Sequence, residues 1–125
     1  MARSLTITHS KNSPLSDGVF FERMLSAALG PVQREFRFHP KRKWRIDYFA
    51  TTYSLGVEIE GGIWRGGRHT NPAGFTKDIE KYNAAALMGI AIYRIPAHDL
   101  KSPKKVMEHV QRIRYYIIEK RHLNG

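Results

Sequence analysis

Three carboxylates stand out by type and spacing: Asp47, Glu58 and Glu60. Asp47 precedes Glu58 by eleven positions, room enough for a strand end, a turn and entry into a neighbouring strand. If that register holds, Asp47 and Glu58 converge on one cation. Their hard oxygens suit Mg²⁺, which polarises a phosphate and helps to form a hydroxide nucleophile, and Mn²⁺ is expected to substitute. The main-chain carbonyl of Ile59, between the two outward carboxylates, is a further oxygen ligand. The same charges could instead serve solubility on an exposed sheet face. Two carboxylates on one side of a central strand nevertheless call for positive compensation. Glu22, between Phe21 and Leu25, either faces the same pocket or makes an ordinary helix salt bridge. His69 could act as acid, base or phosphate ligand, or be a surface histidine without a role. Trp64, Arg65, Arg68 and Asn71 around it suit a substrate loop, with arginines on phosphates and the indole on a base or sugar. Arg45 and Lys77 add charge for the same polyanion.

These residues need elements to hold them. Ser16 or Asp17 can cap a helix carrying Phe20, Phe21, Met24, Leu25, Ala28 and Leu29, which Gly30 and Pro31 end. Val32 to Phe38 reads as a strand, and His39 to Lys43 as a charged turn containing a proline. Alternation from Trp44 to Ala50 places Trp44, Ile46 and Tyr48 on one side and Arg45 and Asp47 on the other. From Leu55 to Glu60 it turns Leu55, Val57 and Ile59 one way and Gly56, Glu58 and Glu60 the other. Gly61 and Gly62 stop that strand, and the Gly-, Arg-, His- and Asn-rich stretch to Ala73 is loop chemistry. A helix is expected from Thr76 or Lys77 through Met88, with Gly89 as its stop. Ile90 to Ile95 is a short apolar strand closed by Pro96. Ser102 and Pro103 open a last helix with Val106, Val110, Ile113 and Ile117 at helical spacing.

The expected order is helix, three strands, helix, strand, helix. It describes one α/β (α+β) domain spanning residues 1–125, with a mixed sheet of about four strands flanked by helices. The first three strands are close enough for an antiparallel meander. The fourth can lie parallel to the third through a right-handed crossover.

Composition narrows the chemistry. A formal charge of +10 on 125 residues concentrates polyanions at the surface, and nucleic acid is the obvious partner. No stretch of about 18 apolar residues is present, so a membrane is not an expected partner. The absence of cysteine removes disulfides, thiolate zinc sites and thiol catalysis together. Met1 to Asn12 contain no apolar core of signal-peptide length, and a cytoplasmic protein is the simplest expectation.

Taken in order, Glu22, Arg45-Ile46-Asp47, Val57-Glu58-Ile59-Glu60-Gly61, Lys77-Asp78-Ile79-Glu80-Lys81-Tyr82-Asn83, Gly89 and the strand with Arg94 resemble the PD-(D/E)xK nuclease superfamily. The likeness is to small phage and bacterial endonucleases, including Holliday-junction resolvases and the very-short-patch repair type. It covers roughly Val19 to Ile95; each motif is short, and their order along the elements carries the resemblance. The resemblance implies a restriction-endonuclease-like αβββαβα core. It makes Asp47 and Glu58 metal ligands, Ile59 a main-chain ligand and Glu22 the extra acid of the first helix. Glu60 stands where the family usually has lysine, so Lys81 or Lys77 resembles a lysine migrated onto the following helix. The implied activity is Mg²⁺-dependent hydrolysis of DNA, with water oriented by Glu60, His69 or Lys81. A junction resolvase is the first expectation and a mismatch- or sequence-directed nicking enzyme the second; the residues leave RNA and a non-catalytic binding module open. Symmetric resolution of a branched DNA further implies a homodimer, in a bacterial or phage-infected cell.

Overall fold

The computed structural model describes residues 16–61 and 72–124. The first helix, α1 (Asp17–Leu29), is capped by Ser16, whose hydroxyl accepts the Val19 N–H at 3.2 Å. It buries Phe21, Leu25 and Leu29, one residue per turn. Strands β1 (Gln33–Arg37), β2 (Arg45–Ala50) and β3 (Leu55–Glu60) form the antiparallel meander, and β4 (Ala91–Pro96) joins β3 in parallel. The sheet order is β1-β2-β3-β4. Helix α2 (Pro72–Leu87) connects β3 to β4, and α3 (Pro103–Asn124) ends the chain. Short 3₁₀ turns at Thr51–Tyr53 and Ala97–Lys101 complete the order αβββαβα. No helix among the described residues is long and apolar enough to cross a membrane.

Helix α2 begins earlier than the expected Thr76 or Lys77. Pro72 occupies its first position, where the fixed φ of proline suits a helix and no N–H is missed. The helix ends as expected at Gly89, whose φ of 77° lies in the region favouring glycine.

Each face of the sheet has its own core. Phe21, Leu25 and Leu29 of α1 and Val106, Val110, Ile113 and Ile117 of α3 pack with Leu55, Val57 and Ile95. On the opposite face Ala85 of α2 meets Phe38, Ile46, Phe49 and Ile90, and Phe36 stacks on Phe49 at 4.3 Å between centroids.

Strict alternation fails at one level of β1 and β2. Ile46 lies in the α2-side cluster with Trp44, whereas Tyr48 turns to α1 and meets Phe21 edge-on at 5.6 Å. In β1, Arg34 reaches Glu22 of α1, but Phe36 packs on the α2 side. Trp44, Ile46 and Tyr48 therefore do not share a face, contrary to the alternation expected from sequence. The switch falls at Glu35, whose φ of 52° is left-handed, opposite Asp47 in the register. A non-glycine residue there costs on the order of 1 kcal/mol, offset by a buried cluster on each face.

A polar chain ties the far side together. Tyr93 Oη lies 2.8 Å from His109 Nδ1, and His109 Nε2 lies 2.8 Å from Asp99 Oδ2. The bond from His109 holds the Asp99 carboxyl below its ordinary range, despite the opposing effect of burial. A depressed carboxyl stabilises the fold fully above its unfolded pKa of about 4, and the contribution is lost as pH falls through the folded value. Asp99→Asn should therefore be less stable than the wild type by about 1 to 2 kcal/mol near neutral pH. In urea unfolding the gap should close below about pH 4; a gap independent of pH would remove this assignment.

Gly56 has no room for a side chain. A Cβ built on it would stand 2.8 Å from Ile46 Cγ2 and 3.0 Å from Ile92 Cδ1, and Ile46 is wholly buried. Gly56→Ala should lower stability by about 1 to 3 kcal/mol in the same assay.

Candidate active site

The β2–β3 ladder runs from Ala50↔Leu55 to Tyr48↔Val57. Beyond that point side chains bridge the strands. The Asp47 N–H donates to Glu58 Oε2 at 3.0 Å, and the Ile59 N–H donates to Asp47 Oδ2 at 2.8 Å. Each carboxylate thus accepts a main-chain bond from the other strand, which fixes both in place.

Glu58 is buried at 7 % exposure, and its other oxygen is met from α2. Lys81 Nζ lies 3.0 Å from Glu58 Oε1, and Tyr82 Oη donates to the same oxygen at 3.0 Å. Tyr82 Oη also lies 3.2 Å from Glu60 Oε2, so its one proton is shared between the two carboxylates, and Arg94 Nε reaches the same Glu60 oxygen at 2.9 Å. The Arg94 guanidinium stands 4.7 Å from the Tyr82 ring centroid. Burial, and then the charges of Glu58 and Glu60, push the Tyr82 hydroxyl far above its ordinary pKa, so it remains a donor at physiological pH. The hydrogen bond to Glu60 raises Arg94. Glu58 and Glu60 share the α2-side face, as alternation requires, and the expected positive compensation comes from Lys81 and Arg94.

Of the residues singled out from sequence, Asp47, Glu58, Ile59, Glu60 and Lys81 come together. Glu22 faces Arg34 at 3.7 Å and makes no hydrogen bond or ion pair with this cluster among the described residues; its charge, after burial, raises the Tyr48 hydroxyl, which Asp47 also raises. Arg45 is exposed and pairs with Glu35 at 3.5 Å, and Lys77 is exposed on α2. Trp64, Arg65, Arg68, His69 and Asn71 lie outside the described residues. Tyr82 was not among the candidate site residues. Its signal was its place beside Lys81 on a helix that had to face two carboxylates.

The oxygens that would be open to a hard cation are those of Asp47, Glu58 and the Ile59 main chain. Asp47 Oδ1 takes no hydrogen bond from a described residue, and Glu58 Oε2 takes only one. A strand residue exchanges N–H and C=O bonds on the same side, so the Ile59 carbonyl, like its N–H, is directed toward β2. Among the described residues no group of three or more His, Cys, Asp or Glu could cage a metal. Two carboxylates and a carbonyl would form only a partial shell, with the remaining positions of a Mg²⁺ ion left to water.

No family model matches the sequence, and neither a curated protein nor a solved structure matches the chain at a significant level.

Removing Lys81 leaves Glu58 buried with a weakened partner set. Lys81→Met should destabilise the protein by about 1 to 3 kcal/mol, less than a fully enclosed ion pair because Tyr82 and the Asp47 N–H remain. Adding Glu58→Gln should recover part of that loss, as a double-mutant cycle would detect; strict additivity would mean that the two groups are not coupled.

Proposed function

We propose that this chain is a metal-dependent endonuclease that hydrolyses DNA phosphodiester bonds. The observation that carries the reading is the meeting of Asp47 and Glu58 where β2 and β3 part, with Lys81 Nζ 3.0 Å from Glu58. Asp47, Glu58 and the Ile59 carbonyl would hold Mg²⁺ or Mn²⁺. When bound, the ion supplies a Lewis acid for the phosphate and lowers the pKa of a coordinated water. Lys81 orients the attacking water, the role that the resemblance to PD-(D/E)xK enzymes gives to a lysine. Glu60 anchors Tyr82 and Arg94, and so holds α2 against the end of β3. Water adds to phosphorus, the bridging P–O bond breaks, and its oxygen leaves with a proton.

The favoured substrate is a four-way junction, cut by a homodimer carrying two sites related by a twofold axis. One small domain has little surface for reading a long sequence, whereas a symmetric pair matches the symmetry of the junction.

The test uses end-labelled four-way junction, mismatched duplex, nicked duplex, linear duplex and single strand, incubated in parallel with Mg²⁺ and mapped to the nucleotide. Paired cuts in the junction are expected; nicks at a mismatch or sequence would shift the substrate, and no cleavage of any DNA would overturn the nuclease reading. Asp47→Asn and Glu58→Gln should each slow cleavage by on the order of 100-fold or more while retaining DNA affinity. Lys81→Met should lower the single-turnover rate by about 100-fold at saturating metal; an unchanged rate would move the water-orienting role elsewhere.

A further inference from the structure

The loop between β1 and β2 is as basic as any part of the chain, yet the site described above makes no use of it. Residues 37–45 read Arg-Phe-His-Pro-Lys-Arg-Lys-Trp-Arg, five cations in nine positions. Arg42 pairs with Glu80 at 3.2 Å and Arg45 with Glu35 at 3.5 Å. Arg37, Lys41 and Lys43 are exposed and meet no acidic side chain among the described residues. Three positive charges thus lie within seven positions of the chain without an ion pair among the described residues.

The loop has a defined shape. His39 Nδ1 accepts the N–H groups of both Lys41 and Arg42, at 3.1 and 3.0 Å, and thereby closes the turn around its own ring. Trp44 is half-buried, stacked with Phe38 at 6.1 Å and edge-on to His39 at 5.3 Å. The Arg42 guanidinium lies 3.9 Å from the Trp44 ring centroid. A loop braced in this way has less conformational freedom to lose on binding than an open one.

Its position relates it to the carboxylates. Glu80, which holds Arg42, directly precedes Lys81, which holds Glu58. A single turn of α2 therefore connects the loop to the Asp47–Glu58 pair, on the same face of the sheet.

We propose that this loop is a preformed grip for the phosphate backbone of nucleic acid, through Arg37, Lys41 and Lys43. The inference rests on the nucleic-acid part of the reading above and not on cleavage. Arg42 already covers Trp44, so the loop offers point charges for successive phosphates and little for a base to stack on; its contacts are indifferent to sequence. An anionic membrane fits less well. A membrane-seeking loop places apolar side chains beside its cations, whereas here Phe38 is buried and Trp44 packs into the α2-side core.

The experiment compares Arg37→Gln/Lys41→Gln/Lys43→Gln with Lys104→Gln/Arg114→Gln/Lys120→Gln. The second variant removes the same charge from α3, on the far face of the sheet. Circular dichroism checks that both are folded, and anisotropy of a labelled duplex follows binding in EDTA from about 50 to 200 mM salt. The loop variant should bind about tenfold or more weakly, with the slope of log affinity against log salt flattened by roughly two to three, one per lost phosphate contact. The α3 variant should keep the wild-type slope.

A wild-type slope in the loop variant, or equal flattening in both variants, would overturn the proposal. Loss of binding to vesicles of anionic lipid with duplex affinity unchanged would overturn it too, by assigning the loop to a membrane. Because the assay contains no metal, the two readings separate. Loop-dependent binding by a protein that cuts nothing sustains this proposal and removes the nuclease; metal-dependent cutting with a wild-type slope in the loop variant does the reverse.

Discussion

The crossed pair of bonds between β2 and β3, from the Asp47 N–H to Glu58 and from the Ile59 N–H to Asp47, is the constraint on which the site depends. Where the β2–β3 ladder ends, each strand supplies a carboxylate to a main-chain N–H of the other. The strands can part without leaving those two N–H groups unsatisfied. The same bonds that finish the sheet also fix the carboxylates. Few rotamers therefore remain to either side chain.

Glu58 would be costly to bury alone. It is tolerated because the Asp47 N–H, the Lys81 ammonium and the Tyr82 hydroxyl all donate to it. Lys81 and Tyr82 come from α2, a helix whose described residues bury little besides Ala85 and the stems that face the sheet. Polar contacts therefore supply much of what holds α2 to β3, with Tyr82 and Arg94 extending the network to Glu60. The opposite face is different in kind: α1 and α3 cover the sheet with continuous apolar stripes. One face is built for stability, and the other combines a smaller core with charge.

Much of this was legible in the sequence because it depends on local periodicity. The apolar spacing of Phe21, Leu25 and Leu29 and of Val106, Val110, Ile113 and Ile117 located two helices. The alternation from Leu55 to Glu60 set Glu58 and Glu60 on one face. The eleven-residue spacing placed Asp47 and Glu58 on neighbouring strands. What escaped depends on groups distant in sequence or on single dihedral angles. No pattern in Arg34-Glu35-Phe36 announces a left-handed glutamate, so the reversal of faces at Glu35 and Asp47, which separates Ile46 from Tyr48, was not foreseen. Tyr82 was missed because its partners lie more than twenty positions away. The early start of α2 at Pro72 was hidden by a stretch whose composition reads as loop.

The central claim is that Asp47 and Glu58 form one divalent-cation site. Calorimetric titration of Mn²⁺ into the wild-type protein, Asp47→Asn and Glu58→Gln, each first shown to be folded, tests it without reference to any substrate. The account predicts saturable binding in the wild type that is lost or greatly weakened in both variants. Binding that is absent from the wild type, or unchanged in either variant, would contradict it.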